Sequence, residues 1–250
     1  MSDIIALIPA RGGSQRIPRK NIRELAGHPL IAYTIAAAKQ SGIFKVIFVS
    51  TEDDEIGRLA LSYGGVCWIK RPEVMAASES PDIEWITHAL NQETYCAQPF
   101  DQFAILRPTS PFRTAETIKR AWSIWQHDRV YCDSLRAVER AMPPPCKMWE
   151  STWKPDGSFE LRSLCRHVVE PGSPPHHSRA SQTLPVVYVQ NASLEIAWSD
   201  TVLKKGSISG NRIMPFFSQD YEGFDLNSEL DWIVAETLVE RKLSTLPEVA

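Results

Sequence analysis

Apolar residues in the first half of the chain occur in short runs, separated by stretches with helical spacing. The run at 4–9, Ile-Ile-Ala-Leu-Ile-Pro, has the length and composition of a buried strand. Runs of the same kind predict further strands at 45–50, 66–69 and 102–107. Helices are predicted at 29–41, 53–63, 81–92, 114–126 and 228–242. This alternation indicates an α/β fold, with a mostly parallel sheet covered by helices on both faces.

The pattern changes at about residue 140. Prolines recur from there to about residue 190, and they break helices and cannot donate to a sheet ladder. The same segment holds Trp149, Trp153 and Phe159, whereas a disordered linker usually lacks such apolar material. We therefore predict one domain over 1–250 with an ordered insertion at about 140–190 that contacts another subunit. A disordered linker is the alternative.

Composition narrows the classes of function. The chain has 250 residues, of which 43% are hydrophobic and 23% charged, as in ordinary globular proteins. The net charge of -3 disfavours a general nucleic-acid partner. No apolar run approaches bilayer length, and the run at 4–9 is too short for a signal peptide. We expect a cytoplasmic protein without a membrane partner.

The cysteines are scattered and form no Cys-x-x-Cys pair. Their odd number and wide spacing favour reduced thiols over a disulfide framework or a zinc site. They are Cys67, Cys96, Cys132, Cys146 and Cys165.

The first predicted strand leads directly into a glycine-rich basic loop. Gly12 and Gly13 allow an anion to approach the backbone closely, and their N–H groups can point at phosphate oxygens. The cations of the loop are Arg11, Arg16, Arg19 and Lys20. The spacing fits neither a Walker loop nor a Rossmann dinucleotide loop. The loop predicts a nucleotide triphosphate site; the alternative is a solvated basic turn.

A second polar block, at 107–113, follows the strand predicted to end at 107. Its two prolines fix the backbone, while Thr109 and Ser110 offer hydroxyls at the carboxyl end of the strand, where open α/β sheets bind ligands. The alternative is a rigid turn with Thr114 as the cap of the next helix. Arg71 follows another predicted strand, and its guanidinium can meet a base or a phosphate.

A third element lies near the end of the chain. Asp225 and Asn227 are two residues apart, which places both on one face of an extended segment. A carboxylate beside a triphosphate suggests a Mg²⁺ ligand, since that ion prefers hard oxygen ligands. Capping of the following helix by Ser228, with Asp231 at the capping-box position, explains those two residues but not Asp225.

These blocks together resemble the acylneuraminate cytidylyltransferases, also called CMP-sialic-acid synthetases. The resemblance runs from Ile4 to about Leu243. It rests on the order and spacing of the blocks at 8–21, 49–51, 71–73, 107–113, 190–192 and 224–227. It implies a Rossmann-like nucleotidyltransferase fold in which the insertion contacts a second subunit and covers the sugar side. It also implies that CMP passes from CTP to the anomeric hydroxyl of a nonulosonic acid, for decoration of a surface glycan or flagellin.

The resemblance assigns roles to individual residues. Arg11, Gly12, Gly13, Ser14 and Asn21 are implied to bind the triphosphate, with Lys20 near the α-phosphate; Arg71, Ser78 and Ser80 are implied to face the cytosine and ribose. The sugar side is implied to comprise Arg107, Thr109, Ser110, Arg179, Gln182, Gln190 and Asn191. Mg²⁺ is implied at Asp225, with Asn227 as a neutral second ligand. Arg11, Lys20 and Asp225 are the catalytic candidates.

The chain departs from the common pattern of this family at several positions. Gln15, Arg107 and Asn227 stand where the family commonly has Lys, Gln and Asp. The difference at Arg107, on the sugar side, favours a modified nonulosonic acid, such as legionaminic or pseudaminic acid, over N-acetylneuraminate as the substrate. Two other hypotheses stay open: a nucleotidyltransferase for another sugar or nucleotide, and a weakly catalytic homologue that binds nucleotide.

Overall fold

The computed structural model describes residues 4–92, 100–165 and 173–249. The chain divides into two compact units. Unit 1 comprises the residues up to Ala137 together with those from Asn191 onward, and unit 2 comprises Val138–Gln190. The second unit starts and ends within two residues of the predicted insertion.

Unit 1 is built on a seven-stranded sheet with the strand order β11-β7-β10-β6-β1-β4-β5. Its strands are β1 (Ile4–Pro9), β4 (Ile47–Thr51), β5 (Cys67–Lys70), β6 (Gln102–Ile105), β7 (Ser134–Arg140), β10 (Tyr188–Trp198) and β11 (Ile213–Phe217). A two-stranded sheet of β2 (Glu24–Leu25) and β3 (His28–Pro29) follows the first loop. Strands β7 and β10 both extend into unit 2.

Four neighbouring strands, β5, β4, β1 and β6, run parallel, and β10 is antiparallel to β6. The register pairs Pro9 with Ser50 and Leu7 with Ile105. Because the four strands run the same way, their carboxyl ends lie at one edge of the sheet.

The helices of unit 1 are α1 (Leu30–Ser41), α2 (Asp54–Ser62), α3 (Asp82–Leu90), α4 (Ala115–Asp128), α5 (Ser199–Leu203) and α6 (Glu229–Glu240). Alternate residues of β1 face opposite sides of the sheet. Ile4 and Ile8 belong to the core cluster that contains residues of α1 and α4, whereas Leu7 belongs to the cluster that contains Trp85 of α3. The mostly parallel sheet with helices on both faces is therefore confirmed.

The predicted strands and helices are all present, with ends that shift by at most two residues. Thr114 caps α4, and Ser228 caps α6 with Asp231 completing a capping box, as the sequence predicts. Gly42 ends α1 at a φ of 66°, a left-handed conformation that glycine adopts without strain. In the described part of the chain, no helix is both long and apolar enough to cross a bilayer.

Unit 2 contains an antiparallel hairpin of β8 (Trp149–Trp153) and β9 (Phe159–Ser163). The prediction of reduced thiols is wrong for two cysteines, because Cys146 and Cys165 form a disulfide with their Cα atoms 4.8 Å apart. The hairpin explains the pairing: Trp149 is opposite Ser163, so the two cysteines flank the same end of it. Cys67 and Cys132 are free, and Cys96 lies outside the described residues.

Candidate active site

The candidate site of unit 1 lies at the edge where the four parallel strands end. The segments that leave β1, β4, β5 and β6 carry the glycine loop, Glu52 and Asp53, the Arg71–Ser80 segment and the block at 107–113. Hydrogen bonds between these segments show which of the predicted residues come together.

Gly12 and Gly13 have different surroundings. The Gly12 N–H donates to Oε1 of Glu52 at 2.7 Å, and a Cβ on Gly12 would lie only 2.6 Å from Oδ2 of Asp53. Gly12 is therefore packed against the corner between β4 and α2, where only glycine fits. A Cβ on Gly13 would meet nothing within 4 Å, so its backbone is the part of the loop that an anion can approach. Ser14 closes the turn by donating its N–H to the Gly12 carbonyl at 2.9 Å.

The cations of the loop divide into two groups. Arg19, at a φ of 55°, pairs with Asp53 at 2.8 Å and with Glu55, so its charge is balanced by α2. Arg11 instead donates to the Ala77 carbonyl at 3.2 Å, which joins the loop to the segment after β5. Buried Asn21 donates its amide to the Arg11 carbonyl at 2.9 Å and fixes that arginine's backbone.

The peptide groups of Leu226 connect three of the predicted blocks. The Lys20 ammonium donates to the Leu226 carbonyl at 2.6 Å, and the Leu226 N–H donates to the Thr109 carbonyl at 2.9 Å. The glycine loop, the block at 107–113 and the segment around Asp225 thus meet at one buried residue. Burial lowers the pKa of Lys20, an effect that nearby Arg11 reinforces and Asp225 opposes.

Asp225 has the features of a metal ligand. Its Oδ1 is buried and has no hydrogen-bond partner among the described residues, while its Oδ2 accepts from the Asn227 amide at 2.6 Å. In the described residues, no three His, Cys, Asp or Glu side chains form a metal-binding cluster. One carboxylate is nevertheless enough where substrate phosphates complete the coordination of Mg²⁺. The residues therefore fit that ion.

Arg71 is buried at the end of β5. Its Nε and Nη2 donate to Oγ and the carbonyl of Ser50 at 3.1 and 3.0 Å, and its guanidinium lies 4.9 Å from the centre of the Trp85 ring. Burial lowers the pKa of Arg71 to about 10, although Glu52 and Asp82 act in the opposite direction. Ser80 donates its hydroxyl to the Val74 carbonyl at 2.7 Å, whereas Ser78 is exposed.

Arg107 is held by two carboxylates. It pairs with Asp82 at 2.8 Å and with Glu195 of β10 at 3.1 Å. Burial alone would lower the pKa of Arg107, but these two carboxylates outweigh it and raise the pKa above its ordinary value. Burial raises the pKa of Asp82, but the Arg107 charge, the hydrogen bonds from Trp85 and Arg107 and the Arg71 charge together lower it below its ordinary value. The charge of Arg107 is therefore largely balanced within the protein.

Arg113 is fully buried and supports the same block. It donates from Nη1 to the carbonyls of Arg107, at 3.1 Å, and Ser193, and from Nη2 to Oγ1 of Thr34 at 2.8 Å. Burial lowers the pKa of Arg113 to about 9. The neighbouring Ser110 is buried, and its Oγ has no partner among the described residues.

The remaining sugar-side candidates are in both units. In unit 1, Asn191 donates to Oγ of Ser218 at 2.9 Å. In unit 2, the Arg179 Nε donates to the Pro174 carbonyl at 2.9 Å, and Gln182 and Gln190 are exposed. The roles of these residues stay predictions.

Comparison with known proteins decides the family. Residues 5–141 match a family model described as cytidylyltransferase. The CMP-N,N'-diacetyllegionaminic acid synthase of Legionella pneumophila is 33% identical over 242 residues, covering 95% of this chain and 96% of that protein. The N-acylneuraminate cytidylyltransferase of Escherichia coli is 30% identical, covering 96% of this chain and 52% of that protein. The chain belongs to the acylneuraminate cytidylyltransferase family.

A solved structure agrees with the fold of this cytidylyltransferase. A CMP:2-keto-3-deoxy-manno-octonic acid synthetase complexed with CTP superposes with a TM-score of 0.66 at 13% identity, covering 96% of this chain and all of that one. The fold is therefore that of a Rossmann-like nucleotidyltransferase, as the sequence predicts.

Several residues that build the site of this cytidylyltransferase are absent from the sequence-based assignments. They are Glu52, Asp53, Asp82, Glu195 and the backbone of Leu226. Glu52 and Asp53 follow the end of a predicted strand, so the rule that identified the other loops also applies to them. Glu195 lies in β10, whose place beside β6 is set by long-range pairing rather than by a local pattern.

Proposed function

We propose that the protein transfers CMP from CTP to the anomeric hydroxyl of a sialic-acid-like nonulosonic acid and releases pyrophosphate. The observation that carries this proposal is the double hydrogen bond of Leu226, which holds Lys20, Asp225 and the block at 107–113 together. The two named relatives, which act on a legionaminic acid and on an N-acylneuraminate, support a nonulosonic acid as the acceptor. Surface glycans or flagellin are the proposed destination of the CMP-sugar.

The reaction is a displacement at the α-phosphorus of CTP. The hydroxyl oxygen of the sugar bonds to that phosphorus, the bond to the oxygen bridging the β-phosphate breaks, and the hydroxyl proton passes to solvent. No covalent enzyme intermediate is needed. The residues of this chain act by orienting the two substrates and by neutralising the charge that builds up in the transition state.

Each part of the site has a task in this scheme. The open backbone at Gly13 binds phosphate oxygens, and the Arg11 guanidinium, which also contacts the Ala77 carbonyl, adds a positive charge from the same loop. Lys20 is fixed by the Leu226 carbonyl, so its ammonium is in place before the nucleotide arrives. Arg71 is held rigidly by Ser50 and faces the base and ribose together with the 77–80 segment.

Mg²⁺ is part of the proposal. Asp225 would hold the ion through Oδ1, which has no partner in the described part of the chain, while Asn227 orients the carboxylate by donating to Oδ2. When bound, the ion supplies further neutralisation of phosphate charge. Asn227 thus acts as a support for the ligand in this arrangement, since its amide nitrogen is directed at Asp225.

We also propose a cytoplasmic homodimer. CTP is a cytoplasmic metabolite, which supports that location. Unit 2 supports the dimer, because its hairpin exposes 73% of Trp153 and 53% of Phe159, with the ring centres 4.9 Å apart. Exposed aromatic pairs of this kind are typical of surfaces that a partner covers.

A substrate panel tests the proposed reaction. The purified protein is given Mg²⁺, each of the four ribonucleoside triphosphates, and a set of nonulosonic acids with 3-deoxy-manno-octulosonic acid as a comparison sugar. We expect pyrophosphate release with CTP and a nonulosonic acid only. Turnover with another triphosphate, or with the octulosonic acid alone, contradicts the proposal, as does binding of CTP without turnover across the whole panel.

Asp225→Asn tests the metal assignment. We expect roughly a hundredfold loss of Mg²⁺-dependent turnover, because the charged ligand proposed for the ion is removed, with an unchanged circular dichroism spectrum. Asp220→Asn is the control, since Asp220 is an exposed acid five residues away on the same segment. Turnover of Asp225→Asn within threefold of the wild type would exclude Asp225 from the site.

A further inference from the structure

Glu52 extends the pairing of β1 and β4 beyond the last backbone rung of the ladder. Within the ladder, the Ala10 N–H donates to the Ser50 carbonyl at 3.0 Å. The next rung, two residues further on each strand, would join the Gly12 N–H to the Glu52 carbonyl. The Glu52 side chain takes that place at 2.7 Å, while the Glu52 carbonyl accepts from the Lys70 ammonium at 2.6 Å.

The direction of the Gly12 N–H follows from this geometry. The Gly12 N–H is directed at Oε1 of Glu52, so it is not available to a phosphate that approaches Gly13. Asp53 also packs closely against Gly12, since a Cβ there would lie 2.6 Å from Oδ2 of Asp53. The open amide of Gly13 comes directly after this fixed point. The position at which the glycine loop leaves the sheet therefore depends on the Glu52 carboxylate.

The environment of the second carboxylate oxygen of Glu52 shows that this arrangement costs desolvation free energy. Oε2 is buried and has no partner among the described residues, and such an atom in a folded protein calls for an explanation. Arg71, whose charge is close enough to be influenced by Glu52, offsets part of that cost. A hydrogen bond from an amide to a carboxylate is stronger than one to a neutral oxygen, which suits a fixed anchor.

We propose that Glu52 is a positioning residue for nucleotide binding: by holding the Gly12 amide it sets the phosphate-binding backbone that follows. This inference rests on the proposed use of CTP. It assigns Glu52 no contact with the nucleotide and no part in the displacement itself.

Three variants of the full chain test the inference. Glu52→Ala removes the acceptor, Glu52→Gln keeps an oxygen acceptor without the charge, and Asp54→Ala is the matched control. Asp54 is an exposed acid two residues further along that pairs with Lys70 and Arg58 instead of the loop. Calorimetry measures binding of Mg–CTP, steady-state pyrophosphate release gives the KM of each substrate, and amide hydrogen exchange reports on Gly12.

We expect Glu52→Ala to weaken CTP binding and raise the KM for CTP by about tenfold, since a charge-assisted hydrogen bond is lost. The KM for the sugar should stay within twofold, and exchange of the Gly12 amide should accelerate. Glu52→Gln should stay within about threefold of the wild type, because its amide oxygen still accepts from Gly12. Asp54→Ala should match the wild type in all three measurements.

Three results would overturn the inference. Tighter CTP binding by Glu52→Ala would mean that the carboxylate competes with the nucleotide. Equal damage from Glu52→Gln and Glu52→Ala would mean that the charge acts instead of the hydrogen bond, and an equal rise of both KM values would mean a general structural effect. A wild-type protein that binds CTP but turns over no nonulosonic acid refutes the proposed reaction instead, and the binding comparison among the variants still decides the role of Glu52.

Discussion

Different interactions stabilise unit 1 and unit 2 internally. In unit 1, β1 is buried on both faces, and apolar clusters with helices cover each side of the sheet. Unit 2 leaves large aromatic side chains exposed and is tied by the Cys146–Cys165 disulfide and by Lys147, whose ammonium donates to the carbonyls of His177 and Arg179 at 2.7 and 2.6 Å.

This difference teaches where each unit is vulnerable. In unit 1 we expect surface substitutions to change the free energy of unfolding little. Loss of a buried polar group that joins several elements should lower it strongly. Among the described residues of unit 2 few apolar side chains are buried, so its order depends on local links that single substitutions can remove. The residues assigned to phosphate and metal binding are all in unit 1, where the sheet holds them.

The largest effect is expected from Arg113→Met in unit 1. Methionine fills similar space but removes the hydrogen bonds that the guanidinium donates to the carbonyls of Arg107 and Ser193 and to Oγ1 of Thr34. We expect unfolding free energy to fall by about 3–5 kcal/mol, measured by urea denaturation, with loss of turnover. Arg58→Met is the control, because Arg58 is an exposed arginine on α2 with an ion pair at 3.6 Å. A loss below about 1 kcal/mol for Arg113→Met would show that the buried charge is as costly as its hydrogen bonds are favourable.

The second-largest effect is expected from Cys146→Ser, which should destabilise unit 2 alone. Cys146→Ser removes a cross-link between residues 19 apart in sequence, which the loop-entropy model values at about 3 kcal/mol. We expect faster hydrogen exchange in the hairpin at 149–163 and faster proteolysis within 138–190, with unchanged exchange in β1 and β4. Cys132→Ser, at a free cysteine, should change neither. Equal cleavage rates for the two variants would contradict a stabilising role for the disulfide.

The smallest effect contrasts one acid from each unit. Asp133 of unit 1 accepts from the Lys205 ammonium at 2.7 Å and from the N–H groups of Asn211 and Arg212, and these bonds hold the pKa of Asp133 far below its usual value. A lowered folded-state pKa contributes stability that is fully present above the unfolded-state pKa of about 4 and is lost progressively as pH falls from there through the folded-state pKa.

Asp133→Asn should therefore cost about 1–2 kcal/mol at pH 7 and less at pH 3, read from denaturation at both pH values. Glu160 of unit 2 also has a lowered pKa, from its hydrogen bonds with Lys154 and Arg162, but its pairs are exposed. Glu160→Gln should have no measurable effect, because exposed ion pairs contribute little. A pH-independent cost for Asp133→Asn would contradict the charged role of that side chain.

The fold of unit 1 was predictable because its signals are local. The apolar run at 4–9, the cap at Thr114 and the capping box of Ser228 and Asp231 each lie within a few residues. The disulfide of unit 2 was not predictable, because Cys146 and Cys165 come together only through the hairpin register between them.

The candidate site was predictable in part for the same reason. Strand ends identified the glycine loop and the block at 107–113, since the segments that follow parallel strands share one edge. The balance of the Arg107 charge by Glu195 could not be predicted, because it depends on β10 pairing with β6 across almost ninety residues of chain. Leu226 was unpredictable in another way, since its contribution comes from its peptide groups.

The use of Leu226 peptide groups affects which substitutions the site can accept during evolution. Every residue except proline has both a main-chain N–H and a carbonyl, so any other apolar residue that fills the same space at position 226 preserves the link between Lys20 and Thr109. A systematic replacement of side chains by alanine would record only the lost packing there. Replacing the amide N–H with an ester oxygen, by chemical synthesis or codon reassignment, would remove the link to Thr109 alone. Mutational surveys and comparisons of related sequences therefore do not detect the main-chain hydrogen bonds by which Leu226 connects two parts of this site.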